Sequence, residues 1–425
     1  MGGSPGPPSP PITVTTTNPK HSANWLRSAA FLTVIQLANQ LIPLISIPYL
    51  ASVLGPAGWG RLAIAQSFGL YLTTILEYGF NLSATREIAM APDQEAIARI
   101  TGRVLAAQAG LYLVGALVAA LILPRFAIFR EDSLLILSTL IWVIPQGISL
   151  QWLFQGLDRL PLLATATLAA RLLGLVGLFA FVHKPQDLAL AQLVQALPAL
   201  LFLGGAAAIL LAQTGLRVPA LPEVWTTLRA SFLLFVYRAG VNVHAAAMAF
   251  LLGCVAAPEV VGYYAAAERV AKAALSFLDP LTLTLFPRLS ALSSGAKRNL
   301  AWRGTGALVI TGTALGAALF VGAPYLVPLL LGDRFAPAVG VLRILAALGP
   351  LTGLSQALGP TWLLAERGDK LFLAVVLSAA ATVLMAMLLI EPKANGMAWL
   401  MVATQALLAL GFACALRFGK TEATA

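Results

Sequence analysis

Charge is scarce in this chain. Of its 425 residues only 10% are Asp, Glu, Lys or Arg, against about 25% in an ordinary soluble domain. So few charges cannot cover the water-facing surface of a protein of this size, whereas hydrocarbon requires no such cover. Cysteine and histidine are scarce too, at two and three residues. Cys254 and Cys414 lie far apart in apolar stretches and read as small buried hydrophobes, not as a disulfide or a metal pair. The dispersed histidines argue for no metal site, and HExxH is missing. No GxxxxGK(S/T) loop occurs, which excludes ATP hydrolysis by that route. The Gly-rich run GPAGWG at 55–60 lacks both GxGxxG spacing and a preceding strand, and it reads as a helix-to-helix turn. Nothing points to an enzyme, and no cofactor is expected.

What the chain does have is apolar length: 59% of residues are hydrophobic and the mean hydropathy is +0.86. The net charge of +10 could suggest nucleic acid, but that needs a clustered basic face. Here the bases are scattered between apolar runs, which suits topology determinants and an anionic membrane or substrate. Residues 1–22 begin with MGGSPGPPSPPITVTTTNPK. This stretch lacks the basic and apolar regions of a cleaved signal peptide, and it reads as a disordered cytoplasmic tail.

A spanning helix needs about 20 mainly apolar residues. Twelve such segments are predicted, at roughly 25–53, 58–88, 96–123, 133–155, 161–182, 188–213, 226–254, 258–290, 300–321, 336–364, 370–390 and 395–417. A short stretch at 325–331 is expected to lie at the interface. With both termini inside, sixteen of the 27 Lys and Arg fall in inner loops and helix ends. Five (Arg125, Arg130, Lys184, Arg334 and Lys393) fall outside. That excess sets the orientation, with both termini cytoplasmic. The fold class expected is therefore an all-α integral membrane protein with twelve transmembrane helices.

The chain also resembles itself. Sliding it by 202 residues brings Leu26, Arg27, Leu32, Val34, Leu50, Val53, Pro56, Gly60, Ala63, Ala65, Leu76 and Arg86 onto identical residues, and Glu77 onto Asp279. An offset of six helices keeps both copies in the same orientation. Parallel repeats of this kind are related by an axis along the membrane normal, with the substrate site between them. The expected domains are a six-helix bundle at 23–215 and a second at 222–418.

Polar residues in the spans repeat as well. Gln66, Thr73 and Glu77 share one face of the second helix at about 100° per residue, with Asn81 a turn beyond. Glu268, Lys272 and Asp279 form the matching stripe in the eighth helix, with Arg269 one step round. Gln36 and Gln40 of the first helix correspond to Arg238 and Asn242 of the seventh. Ionisable groups at this depth usually face a bundle interior or a wet cavity. Arg238, Arg269 and Lys272 would repel one another unless an anion sat between them. The plainer readings stand beside this one. Glu268 and Lys272 have the i,i+4 spacing of a structural ion pair, and His244 reads more simply as a hydrogen-bonded interior histidine than as a proton relay. Arg61 can snorkel to the headgroups, and Arg171 and Arg343 read as packing or lipid contacts. Pro43 and Pro48 can kink the first helix, and Gly312 and Gly316 have small-xxx-small packing spacing.

PYLASVLGPAGWGRLAIAQS and EYGFNLSATREIA resemble the opening of O-antigen and exopolysaccharide flippases. Those are the polysaccharide-transport branch of the multidrug/oligosaccharidyl-lipid/polysaccharide exporter superfamily. WLFQGLDRL at 152–160, VGYYAAAERVAKA at 261–273 and LLGDRFAPAVGVLRILA at 330–346 resemble later blocks of the same family. The resemblance implies two bundles around one cavity and a substrate of lipid-diphosphate-linked sugar repeat units. It implies alternating access coupled to ions or membrane potential, in a bacterial inner membrane. Arg61, Arg269, Glu77 and Glu268 fall at matching positions. The implied partners are the lipid-linked oligosaccharide, membrane lipid, and a polysaccharide polymerase with its chain-length regulator; no nucleic acid is implied. The substrate-binding set expected is Arg61, Arg238, Arg269, Lys272, Gln36, Gln40 and Asn242, with Glu77, Glu268, Asp279 and His244 as coupling or cavity residues. A drug or small-solute exporter of the same architecture competes with this reading, as does a non-transporting scaffold of glycan assembly.

Overall fold

In the computed structural model the described residues are 19–130, 132–148, 150–291, 294–363, 369–386 and 393–418. Within them, the side chains of 19–41, 43, 44, 237 and 240–247 are outside the description, as are a few in later helices. The tail expected at 1–22 falls outside the described residues up to 18, and helix begins at Pro19.

Helix accounts for every element of the described chain, and no strand occurs there. The first half runs α1 (Pro19–Glu77), α2 (Phe80–Ala89), α3 (Gln94–Ile122), α4 (Ala127–Arg130), α5 (Ser133–Gly147), α6 (Gln151–Gly156), α7 (Leu160–Phe181) and α8 (Leu188–Thr214). The second runs α9 (Leu221–Val255), α10 (Pro258–Leu275), α11 (Asp279–Ala291), α12 (Ser294–Leu331), α13 (Ala338–Leu345), α14 (Leu348–Gln356), α15 (Asp369–Ala386) and α16 (Ala394–Phe418). A wider helical turn at Ala357–Leu363 follows α14.

Helix covers most of the described parts of the ranges read from hydropathy. Seven stretches among the described residues are long and apolar enough to cross a membrane by length and composition. Their outward surfaces are apolar: Leu113, Leu117 and Leu121 of α3 are all more than 60% exposed, as is Leu201 of α8. Water would penalise such a stripe, and lipid does not. The chain is a multi-pass membrane protein. Cys254 and Cys414 are both free and exposed, not buried as their apolar neighbours suggested. In a membrane protein an apolar stretch covers the lipid face as readily as the core.

Two breaks shape the helices nearest the site. α1 bends at Gly55 (φ 64°, ψ 178°), a backbone that suits glycine. It therefore comprises two antiparallel limbs, as the GPAGWG turn predicts. Tyr78 and Gly79 then adopt positive φ and separate α2 from α1. Asn81 accordingly sits past a break rather than on a continuous stripe with Glu77. The stretch at 325–331, expected at the interface, is helical. It completes α12, with Pro324 and Pro328 inside the helix, because proline does not stop a membrane helix whose neighbours hold it.

Buried side chains between α1 and α10 make the main core, with Trp59, Leu62, Ala65, Ala266 and Ala267 all fully enclosed. Here two backbones nearly touch. A Cβ on Gly60 would lie 1.8 Å from the carbonyl oxygen of Pro258, and one on Gly262 would lie 2.0 Å from that of Pro56. Residues 60 and 262 correspond under the 202-residue offset, and so do 56 and 258. Each contact is thus the counterpart of the other. Gly312 and Gly349 meet in the same manner, each 2.2 Å by Cβ from the other's carbonyl oxygen, so the small-xxx-small spacing does serve packing.

Two buried glutamines of the first half each use one end of the amide to tie helices together, while Gln192 Nε2 and Gln108 Oε1 have no hydrogen-bond partner among the described residues. Gln192 Oε1 accepts from Ser138 Oγ at 2.7 Å and Thr139 Oγ1 at 3.0 Å. Gln108 Nε2 donates to the carbonyls of Leu76 at 3.3 Å and Gly147 at 3.0 Å, near the ends of α1 and α5. The link between halves, 215–220, lies against α3 through Arg217 N–H to Ala98 O at 3.3 Å.

Candidate functional site

The seam where α1 and α2 meet α9 and α10 collects most of the polar residues singled out by sequence. At the end of α1, Arg238 Nη2 of α9 donates to Glu77 Oε2 at 3.0 Å. Both are partly shielded, with side chains 36% and 19% exposed. Beside them Tyr78 stacks on Phe235, ring centroids 4.7 Å apart and 8° from parallel. One turn further, Ser83 and Ser231 share a hydrogen bond of 2.9 Å. The seam at this level is closed by an ion pair, a stacked aromatic pair and a hydroxyl pair.

Deeper in, Arg269 donates to Gln66 Oε1, and its guanidinium lies over the Trp59 ring, 4.4 Å from the centroid. Gln66 and Trp59 belong to the second limb of α1, so this arginine also bridges the two halves. Stacking on indole suits a guanidinium, which is weakly hydrated and planar. On the same face of α10, Lys272 Nζ pairs with Glu268 Oε1 at 2.8 Å, the i,i+4 arrangement. Lys272 is 46% exposed and Glu268 only 10%.

Asp279 opens α11 after a tight turn at Ser276–Leu278. Its carboxylate accepts from Gln356 Nε2 at 3.3 Å, and Gln356 Oε1 accepts from Thr282 Oγ1 at 2.9 Å. Lys272, Asp279 and Gln356 together line a cavity of about 230 Å³ inside the second half, with Thr404 and Gln405.

The structure therefore brings Glu77 to Arg238, Gln66 to Arg269, and Glu268 to Lys272, with Asp279 on the wall of a neighbouring cavity. It does not leave Arg238, Arg269 and Lys272 as an open cluster. A cation in a medium of low dielectric takes a carboxylate, amide or ring face within reach. Sequence periodicity reports the face a residue occupies, not which neighbour lies opposite. Arg61 is half-buried and has its own interaction. Gln36, Gln40, Asn242 and His244 lie on the helical paths of α1 and α9, and their side chains are outside the described residues. Arg343 stacks over Phe320 at 5.6 Å, a packing contact as expected. Arg171 is exposed and lines a cavity in the first half. Its place midway along a helix of 22 otherwise uncharged residues was the available signal.

A charged seam enclosed by two sets of helices with apolar exteriors defines a polytopic helical protein of the membrane-transporter type. A family profile described as polysaccharide biosynthesis protein matches residues 25–293, more than half the chain, and the chain belongs to that family. It is 28% identical over 392 residues to a candidate O-antigen transporter of Escherichia coli (strain K12), covering 90% of this chain and 94% of that one. A candidate O-antigen transporter of Shigella dysenteriae is 27% identical over 368 residues, covering 84% and 90%. Among solved structures, the lipid II flippase MurJ in an inward closed conformation superposes with a TM-score of 0.74 at 11% identity, covering 91% of this chain and 87% of MurJ. An inward-facing multidrug resistance MATE family transporter of the MOP superfamily superposes at 0.67 and 12% identity, covering 90% and 94%. These two likenesses establish the fold.

Proposed function

We propose that this protein is a flippase that carries polyprenyl-diphosphate-linked oligosaccharide units across the bacterial inner membrane. Twelve spanning helices form two six-helix halves, residues 23–215 and 222–418, with both termini cytoplasmic. The reciprocal contacts of Gly60 with Pro258 and Gly262 with Pro56 support a two-fold relation between the halves. The observation that carries the functional reading is the pairing of cations in the seam, Arg238 with Glu77 and Arg269 with Gln66 and Trp59. Each of these partners can be exchanged for an incoming phosphate.

In this mechanism the seam opens toward the cytoplasm and the diphosphate displaces Glu77 from Arg238 and Gln66 from Arg269. Charge-assisted hydrogen bonds from guanidinium to phosphate are among the stronger ones available. Lys272 adds a third positive group. The sugars occupy the polar interior while the lipid tail stays in the bilayer. Glu77, Glu268 or Asp279, released from its partner, accepts the coupling proton. The halves then rock about the site and release the head group outside.

The test is export in cells. Deleting the gene should leave lipid-linked oligosaccharide accumulated on the cytoplasmic face, and Arg238→Gln, Arg269→Gln and Lys272→Gln combined should do the same at normal membrane abundance. Normal export by the triple variant removes the site assignment, and no accumulation in the deletion strain removes the function. A small-solute exporter is less well served by this seam. A cation exporter would favour acidic walls, and here Glu77 and Glu268 are each matched by a base.

A further inference from the structure

Arg171 is a cation outside the seam, and it has an interaction of its own. It stands midway along α7 (Leu160–Phe181), a depth at which a guanidinium is costly unless it faces an interior or a wet space. It lines an open cavity of about 240 Å³ between α1, α5, α7 and α8, together with Ser46, Trp142, Gln146, Thr167 and Gln195, and both Arg171 and Gln146 are exposed in it. The remaining lining residues are aliphatic, glycine or proline, and none is a carboxylate. The chamber wall is therefore net positive, which disfavours a cationic drug and favours an anion.

The neutral groups narrow the class further. Thr167 Oγ1 donates to Leu163 O at 2.8 Å, so its oxygen is left to accept. Gln195 Nε2 donates to Ala191 O at 2.6 Å, which leaves Oε1 to accept. Gln146 contributes a second amide and Trp142 an indole. A wall with one guanidinium, amide and hydroxyl acceptors and an aromatic surface complements a pyranose ring. Such a ring has apolar faces, hydroxyls that donate and accept, and, in a hexuronate, one carboxylate. A diphosphate would leave its second charge unmatched here. At 240 Å³ the chamber lies just below the ~300–1,000 Å³ of drug-sized ligand sites, a size for one sugar ring and not for a whole oligosaccharide.

We propose that this first-half chamber is a subsite for an acidic sugar of the translocated unit, with Arg171 binding its carboxylate and Trp142, Gln146, Thr167 and Gln195 its ring and hydroxyls. The proposal rests on the flippase reading above and names its substrate more closely.

The test uses the full chain reconstituted in liposomes and two synthetic polyprenyl-diphosphate disaccharides, one ending in glucuronate and the other in glucose. Transfer is read as the fraction of each that becomes accessible to a glycosidase on the far side. The wild type should move the glucuronyl compound about tenfold faster, the worth of one charge-assisted contact. Arg171→Gln should bring that ratio to about one, and Arg171→Lys should restore part of it. A rate ratio is insensitive to how much protein folds. Equal rates in the wild type, or an unchanged ratio in Arg171→Gln, overturn the subsite alone. Transfer of neither compound by the wild type overturns the flippase reading and the subsite with it. A direct measurement closes the remaining gap. Sodium glucuronate should raise the thermal unfolding midpoint of the wild type but not of Arg171→Gln, and glucose or sodium chloride should do neither. An equal shift with chloride assigns the chamber to inorganic anions and overturns the proposal.

Discussion

Substituting Gly60 or Gly262 by alanine should force apart the seam at the start of the second limb of α1. The added Cβ would stand 1.8 Å from Pro258 O in the first case and 2.0 Å from Pro56 O in the second, and ordinary contact begins at 3.4 Å. Neither carbonyl belongs to a flexible side chain, so the helices themselves must separate by about 1.6 Å for Gly60→Ala. Overpacking of this kind costs about 1–3 kcal/mol. Charged only to the closed arrangement, it shifts the closed-to-open ratio by roughly 5- to 150-fold. Ser52 and Cys254 correspond under the repeat offset and are both exposed, so they are natural positions for spin labels. With Ser52→Cys, the native Cys254 and Cys414→Ser, pulsed electron resonance should report a longer or newly split distance distribution in Gly60→Ala and Gly262→Ala. Gly204→Ala, where an added Cβ meets nothing within 4 Å, should leave the distribution unchanged. Wild-type distances in both seam variants would refute the claim that backbone contact holds this seam shut.

Further outcomes follow from individual contacts. Exchanging the seam pair, Glu77→Arg with Arg238→Glu, should recover lipid-linked oligosaccharide export relative to either single change; failure of the exchange would mean that the site requires the guanidinium on α9. Gln108→Leu removes the donor to Leu76 O and Gly147 O and should cost about 1–3 kcal/mol, the range for stranded buried polar groups. A thermal melt lowered by several degrees would show it, and an unchanged melt would contradict the role. The carboxyl of Asp187, in the loop before α8, accepts backbone N–H groups of His183 and Lys184, both at 2.9 Å. These bonds hold it below the usual carboxylate range. A depressed folded-state pKa stabilises above the unfolded value and is lost as pH falls through the folded one. Hydrogen exchange at 183–187 should therefore quicken only below the ordinary carboxylate range, and Asp187→Asn should remove that pH dependence.

How far the site was legible depended on what each signal measures. The 3.6-residue period placed Gln66, Glu77, Glu268 and Lys272 on inward faces; the structure buries Gln66 and Glu268 and half-buries Glu77, while Lys272 is exposed beside a cavity. The Glu268–Lys272 pair was readable from spacing alone, because i and i+4 on one helix are always adjacent. Arg238 with Glu77 and Arg269 with Gln66 were not, since each pair joins residues more than 160 positions apart. The cavity beside Arg171 is not legible in sequence, because one cation on an apolar helix has the same local pattern whether it faces lipid or a chamber. Cys254 and Cys414 were placed inside for the converse reason: hydropathy does not separate a lipid face from a core.

The sequence by itself determined the solvent, the helices and the repeat. Too few charges for water, apolar runs of spanning length and a 202-residue self-match all follow from local composition and order along the chain. Tertiary structure decided which ends of those helices touch, which carboxylate or amide takes each cation, and where α7 turns its single charge. Those outcomes depend on the crossing of helices distant in sequence, and at Gly60 and Gly262 on an approach so close that one carbon atom would alter it.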